Sequence, residues 1–234
     1  MQTIRSARSE QRQLGQQQLA LPWLVIAIAS LIGASVLTLA LLNGIEIPGD
    51  KTLLASALMA GSWKGLWDLL SFVGDYPMIP LGLGFVAWLY WTKRRREALL
   101  VFVILVAATI SSEAVKAIVA RPRPTGPVPG IPGVVYSFPS GHALEDVMIM
   151  GMVSVRLWRS EQAQWLKLAV AVLSTILVLL IGFARLALNV HYPSDVLGGF
   201  LGGLFFLGWY AWGSRMGAWA SHPGPIRAGH RVAG

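Results

Sequence analysis

The chain has 234 residues, of which 55% are hydrophobic and only 13% are charged, and it contains no cysteine. A soluble domain carries about 25% charged residues, so an ordinary water-soluble enzyme is excluded. The lack of cysteine excludes disulfides, thiol nucleophiles, iron–sulfur clusters and cysteine-ligated zinc. The net charge of +8 would suggest a nucleic-acid partner in a soluble protein. Because the mean hydropathy is +0.60, the relevant question is instead on which side of a membrane the positive charges lie.

Apolar runs predict an all-α integral membrane protein with six transmembrane helices. A helix that crosses the ~30 Å hydrocarbon layer needs roughly 17–25 apolar residues. Five runs reach this length, and a shorter uncharged run ends in Trp88, Tyr90 and Trp91. The predicted spans cover residues 21–42, 76–91, 97–120, 141–158, 166–188 and 195–213.

Residues 51–75 are apolar but are interrupted by Lys64 and Asp68, which stand four residues apart and suit one polar helix face. A crossing here would put the N-terminal arginines and Lys93–Arg96 on opposite sides, against the positive-inside rule. The sequence therefore predicts an interfacial helical segment on the outer surface, between the first two spans.

The six-span topology places thirteen of the 19 Lys and Arg residues inside. It divides the chain into a cytoplasmic N-terminal segment (1–20), a membrane domain (21–213) and a cytoplasmic C-terminal tail (214–234). We expect a multi-pass protein of the cell (inner) membrane, in contact with membrane lipids. Overlapping G-x-x-x-G pairs in the last span, at Gly198, Gly199, Gly202 and Gly203, predict close packing within the same chain, with a dimer face as the less favoured alternative.

Cations and histidines gather at the predicted outer boundary. Because cations in or beside a span are costly, each is a candidate functional residue. Phosphate needs several fixed cations, and Lys116, Arg123 and Arg185 supply three. Ser140 and Gly141 begin a helix whose first-turn N–H groups form an anion site. We expect Glu113, one turn before Lys116, to pair with that lysine.

Cleavage of a phosphate ester has two roles for histidine, nucleophile and general acid. His191 has a carboxylate four residues later: if Pro193 is the first helical residue, Asp195 lies in the first turn and can fix the tautomer of His191. His191 is therefore the predicted nucleophile, and His142 the general acid.

Three motifs in fixed order strengthen this prediction. Lys116 to Pro124 reads K-x6-R-P, Pro139 to His142 reads P-S-G-H, and Arg185 to Asp195 reads R-x5-H-x3-D. In this order and spacing they resemble the signature motifs of the type 2 phosphatidic acid phosphatase superfamily.

The resemblance implies a metal-independent lipid phosphatase without cofactors, active on the extracytoplasmic face through a phosphohistidine intermediate. It implies that His191 is the nucleophile supported by Asp195, that His142 protonates the leaving group, and that the phosphate is held by Lys116, Arg123, Ser140, Gly141 and Arg185. One departure is Ala184, since the family usually has Ser before the third-motif Arg. Arg121 is additional to the motif, either as a fourth cation or as an interface anchor.

The substrate and the acceptor stay open at this point. Within the family the candidate substrates are undecaprenyl pyrophosphate, phosphatidylglycerol phosphate, phosphatidic acid and lipid A. A phosphotransferase would pass the same phosphoryl group to another lipid. A haloperoxidase is disfavoured because those relatives are soluble, and an anion transporter is disfavoured because few polar residues line the spans. The sequence does not determine the oligomeric state.

Overall fold

The computed structural model describes residues 2–58, 62–75, 77–125 and 136–219, and within these ranges the chain is helical, with an isolated bridge between Pro122 and Tyr136. Helices form because long apolar runs satisfy their own backbone hydrogen bonds within the segment, and α1 continues through Pro22. In chain order they are α1 (Gln2–Leu42), α2 (Asp50–Leu58), α3 (Lys64–Asp75), α4 (Met78–Trp91), α5 (Arg95–Val119), α6 (Gly141–Trp158), α7 (Gln164–Ala187) and α8 (Pro193–Trp219).

Five segments of the described residues are long and apolar enough to cross a membrane. They are Leu21–Leu42, Lys64–Trp91, Arg95–Val119, Gln164–Ala187 and Pro193–Arg215. The predicted all-α membrane fold agrees with this pattern, whereas the count of six is not reproduced by length and composition alone. Helix α6 has the bounds predicted for the fourth span, but Glu145, Asp146 and Arg156 lower its hydropathy.

The region before α4 differs from the prediction. Helix α4 has 14 residues and is about 21 Å long, which is short for a span. Residues 51–75, predicted as one interfacial segment, are divided between α2 and α3, and α3 joins α4 in the 28-residue apolar stretch Lys64–Trp91. The reason is packing: Trp67 and Ser71 of α3 are buried. The predicted Lys64–Asp68 ion pair is present at 2.7 Å and is exposed.

Helices α6 and α8 form the centre of the bundle. Half of the apolar window of α8 is buried, against 11% for the first candidate span. The glycines of α8 permit this packing, because a Cβ on Gly199 would collide with the backbone carbonyl of Ser140 and one on Gly203 would come 2.6 Å from the carbonyl of Leu144. The prediction that these glycines pack within the same chain is confirmed.

The ends of the predicted domain differ slightly from the helix bounds. Helix α1 begins at Gln2, so the predicted segment 1–20 is helical from that residue onward. Helix α8 continues six residues past Gly213 to Trp219. The remainder of the predicted tail, residues 220–234, lies outside the described residues.

Candidate active site

A short β-like contact fixes the chain that follows α5. Ala120 adopts a left-handed conformation (φ 49°) and ends the helix. Next to it, the N–H of Ser137 donates to the carbonyl of Arg121 at 2.9 Å, and Pro122 pairs with Tyr136. The first and second sequence motifs, which are separated by a proline-rich stretch of sequence, therefore lie side by side.

The end of α5 and the start of α6 approach closely at Lys116. Its Nζ lies 2.6 Å from Oε1 of Glu113, which confirms the expected pairing. The same Nζ lies 3.4 Å from the point that a Cβ on Gly141 would occupy. A glycine therefore lets the ammonium group stand directly beside the first turn of α6.

Ser140 occupies the N-cap position of α6 and is fully buried. Its N–H donates to the carbonyl of Asp195 at 3.0 Å, which joins the second motif to the third. Its hydroxyl makes no capping bond, and Oγ has no hydrogen-bond partner among the described residues. The hydroxyl and the first-turn N–H groups of α6 are thus available to an anion.

His191 and Asp195 face each other across the start of α8. The helix begins at Pro193, and Asp195 lies in its first turn as predicted. Oδ2 of Asp195 accepts a hydrogen bond of 2.8 Å from the N–H of Tyr192 and lies 3.6 Å from Nδ1 of His191. This last distance exceeds a hydrogen bond, so the carboxylate orients the ring electrostatically in this structure.

The opposite side of the His191 ring faces a cation. Nη1 of Arg123 lies 3.3 Å from Nε2 of His191 and donates to the carbonyl of Val190 at 2.9 Å. Burial lowers the pKa of His191 to about 4; Asp195 opposes this shift, while Arg185 and Arg123 add to it. The imidazole is therefore neutral at pH 7, as a nucleophile must be.

Arg185 is buried near the end of α7, and Nη1 donates to the hydroxyl of Ser71 on α3. Sequence reasoning missed Ser71, because no spacing connects it with a residue more than 100 positions later. Ala184, where the family usually has Ser, is fully buried beside Trp67 and Ala187. The hydroxyl that contacts the third-motif arginine comes from a different helix.

Arg121 forms ion pairs with two carboxylates, Asp50 and Asp195. Nη1 donates to Oδ1 of Asp195 at 2.6 Å and to Ser194 Oγ at 2.7 Å, while Nη2 donates to Asp50 Oδ2 at 2.7 Å. Asp50, at the start of α2, also accepts the N–H of Ser194 at 2.9 Å. Sequence reasoning missed Asp50, since nothing local distinguishes it from an ordinary helix-start carboxylate.

The structure thus brings the predicted site residues to one end of the bundle. His142, in the first turn of α6, lies within electrostatic range of Arg185, His191, Lys116 and Arg123. Among the described residues, no group of three or more His, Asp or Glu side chains is arranged to hold a metal ion. Geometry of this kind suits a tetrahedral oxyanion held between fixed cations and a helix N-terminus.

Comparison with known proteins identifies the family. The family model of the PAP2 superfamily matches residues 96–217. This segment includes all three motifs and makes up more than half of the chain. This chain belongs to the PAP2 superfamily. The family assignment made from the motifs is therefore confirmed, and the chain is a multi-pass membrane protein like other membrane members of the superfamily.

Two curated relatives are named phosphatases. Phosphatidylglycerophosphatase B of Bacillus subtilis is 27% identical over 135 residues, which are 56% of this chain and 65% of the relative. The chain thus spans slightly less than two thirds of that relative's length. Undecaprenyl-diphosphatase of Sulfolobus acidocaldarius is 31% identical over 175 residues, or 70% of this chain and 73% of the relative.

Solved structures support the PAP2 fold. A transmembrane PAP2-type phosphatidylglycerolphosphate phosphatase from Bacillus subtilis superimposes with a TM-score of 0.60 at 20% identity, covering 81% of this chain and 95% of the other. LpxE of Aquifex aeolicus gives a TM-score of 0.52 at 18% identity, with 71% and 96% covered. At these identities the likeness shows the fold alone.

Proposed function

We propose that this PAP2 protein hydrolyses a lipid phosphate or pyrophosphate through a phosphohistidine at His191. The observation that carries the proposal is the position of the His191 ring between the Asp195 carboxylate and the Arg123 guanidinium. A neutral imidazole with a carboxylate at Nδ1 presents Nε2 to a substrate as the attacking atom. The names of the two curated relatives support a lipid phosphate as the substrate.

In the first step, Nε2 of His191 attacks phosphorus and the bond from phosphorus to the lipid oxygen breaks. Lys116, Arg123 and Arg185 balance the charge that gathers on the phosphoryl oxygens in the transition state. Ser140 and the first-turn N–H groups of α6 donate to those oxygens, and Gly141 leaves room for their approach. His142 gives its proton to the departing lipid oxygen.

In the second step, water attacks the phosphorus of the phosphohistidine, and the N–P bond breaks to release inorganic phosphate. His142, which lost its proton in the first step, accepts a proton from this water and returns to its starting state. Asp195 stabilises the positive charge on His191 while the intermediate exists. No step uses a metal ion or a cofactor.

We also propose six crossings, formed by α1, α3 with α4, α5, α6, α7 and α8. Helix α6 can cross the membrane despite its charged residues, because Asp146 is fully buried in the protein interior and does not face lipid. Lys93–Arg96, in the connection from α4 and the first turn of α5, then lies on the cytoplasmic side together with both termini. The site lies at the opposite end of α5, on the extracytoplasmic face.

A phosphate-release panel tests the function. The purified protein in detergent is incubated separately with phosphatidylglycerol phosphate, undecaprenyl pyrophosphate, phosphatidic acid and lipid A. We expect release of inorganic phosphate from at least one of these lipids, inhibition by orthovanadate and no inhibition by EDTA. A second series adds an acceptor lipid: a phosphoryl group found on that acceptor instead of in solution would identify a phosphotransferase, and no turnover of any lipid in either series would refute the proposal.

A further inference from the structure

An apolar groove runs from the middle of the bundle to the end opposite His191. It has a volume of about 490 Å³ and lies between α6, α7 and α8, with Trp23 of α1 at its edge. Its walls are mainly apolar, and include Met150, Val178 and Leu204. The end of the groove near Arg159 and Arg215 is called its inner end. Because α6 is about 27 Å long, this inner end is remote from the proposed phosphate site at the start of α6.

The groove opens sideways because α7 and α8 both pack on α6 and touch each other little. Leu179 lines the groove and is 56% exposed, so its wall is continuous with the apolar outer surface of the bundle. The hydroxyls along the wall have partners, since Ser154 donates to Ser174 at 3.3 Å and Thr175 donates to the carbonyl of Ala171 at 2.8 Å. A ligand along this wall has to be apolar.

The inner end of the groove is cationic. Arg159 and Arg215 both line it, together with Trp158. Arg159 donates to Ser214 Oγ at 2.6 Å and to the carbonyl of Ala211 at 2.7 Å, so its guanidinium is fixed in place. Nε of Arg215 is buried and has no hydrogen-bond partner among the described residues.

The nearby carboxylate does not neutralise this pair of arginines. Oε1 of Glu97 accepts the Tyr210 hydroxyl at 2.8 Å and lies 3.8 Å from Nε of Arg156, and Oε2 lies 3.7 Å from Arg94. Burial, and next the charge of Arg215, lower the pKa of Arg159, while Tyr210 and Glu97 oppose this shift without reversing it. Two adjacent cations at the mouth of an apolar groove complement an anion that carries a hydrocarbon chain.

We propose that this groove binds one anionic phospholipid, with an acyl chain along α6 and α7 and the headgroup phosphate at Arg159 and Arg215. Arginine suits this role because its planar fork binds phosphate oxygens in pairs. Trp23 and Trp158 lie where the headgroup region meets the acyl chains, as tryptophans at membrane interfaces do. This lipid is a bound ligand rather than a substrate, since the catalytic histidines are at the other end of the bundle.

Native mass spectrometry of the full chain in detergent tests the site with three probes: dioleoyl phosphatidylglycerol, dioleoyl phosphatidylcholine and glycerol phosphate. We expect one tightly bound phosphatidylglycerol, weaker phosphatidylcholine and no stable glycerol phosphate complex. Arg215→Gln should weaken the phosphatidylglycerol affinity about fivefold. Arg96→Gln is the matched control, because Arg96 is exposed and outside the groove. It should leave the affinity unchanged.

Two further variants locate the bound lipid. Ala171→Phe places a ring in the groove wall without removing charge, and it should prevent retention of the lipid. Lys116→Gln, at the other end of the bundle, should leave retention unchanged. Equal affinity in the wild type, Arg215→Gln and Ala171→Phe would overturn the proposal. Loss of the lipid in Lys116→Gln alone would place it at the phosphate site and also overturn the proposal.

Discussion

Arg121 donates a hydrogen bond of 2.6 Å to Oδ1 of Asp195, the carboxylate whose second oxygen faces His191. The other guanidinium nitrogen holds Asp50, so one arginine joins the start of α2 to the start of α8. The contact of the Arg121 guanidinium with the Tyr192 ring, 4.0 Å from the ring centroid, adds to this fixation. The group that orients the proposed nucleophile is therefore itself held by a residue outside the family motifs.

Arg121→Ala should lower the free energy of unfolding by about 3–5 kcal/mol, because it leaves two buried carboxylates without their shared cation. Thermal unfolding in detergent measures the effect. Lys64→Ala is the control, since the Lys64–Asp68 pair is exposed and contributes about 1 kcal/mol or less. Equal unfolding temperatures for the two variants would contradict a structural role for Arg121.

The pH dependence of activity should report the low pKa of His191. Since burial and the two arginines lower that pKa to about 4, the neutral nucleophile persists well below pH 6.5. The acidic limb of kcat/KM should accordingly lie near pH 4. Arg123→Gln removes a cation that opposes protonation of His191, so the acidic limb of this variant should move to higher pH. Both proteins are measured with the same substrate, so ionisation of the substrate affects both limbs equally. If the acidic limb of the wild type lay at pH 6.5 and Arg123→Gln did not move it, the limb would not report the pKa of His191.

Ser71→Ala removes the hydroxyl that accepts a hydrogen bond from Arg185. We expect kcat/KM of Ser71→Ala to fall about tenfold, because one hydrogen bond to a charged group is lost. Ser71→Thr keeps a hydroxyl and should retain most of the activity. Ser56→Ala is the control, because Ser56 donates to the Thr52 carbonyl on an exposed face of α2. Steady-state kinetics on the best lipid of the panel measure all three variants, and full activity of Ser71→Ala would exclude this positioning role.

Much of the site was predictable because it is encoded in short, rigid spacings. The turn from Arg185 to Asp195 and the helix start at Ser140 depend on local geometry, and both are where the motifs indicated. Asp50 and Ser71 were not predictable, since each reaches the site through tertiary packing of α2 and α3. The positive-inside argument placed α3 in an interfacial segment because of Lys64 and Asp68, and it could not show that the Trp67 and Ser71 face of α3 packs inside the protein.

Gly199→Ala should disrupt the junction of α6 and α8, because the added Cβ would meet the Ser140 carbonyl and Ala143. Overpacking of this kind costs about 1–3 kcal/mol, and here it also displaces the N-cap of α6 and lowers activity. Gly84→Ala in α4 is the matched control, since its Cβ would meet no atom within 4 Å. Paired measurements of unfolding temperature and phosphate release distinguish the variants; a Gly199→Ala protein as stable and active as Gly84→Ala would refute the close junction.

The most direct test of the central claim is to trap the covalent intermediate. The protein is mixed with a lipid phosphate labelled in the phosphoryl group, quenched under alkaline conditions and mapped by mass spectrometry. We expect the label on His191 in the wild type, and neither label nor phosphate release in His191→Ala. Label on another residue, or undiminished phosphate release by His191→Ala, would contradict the account.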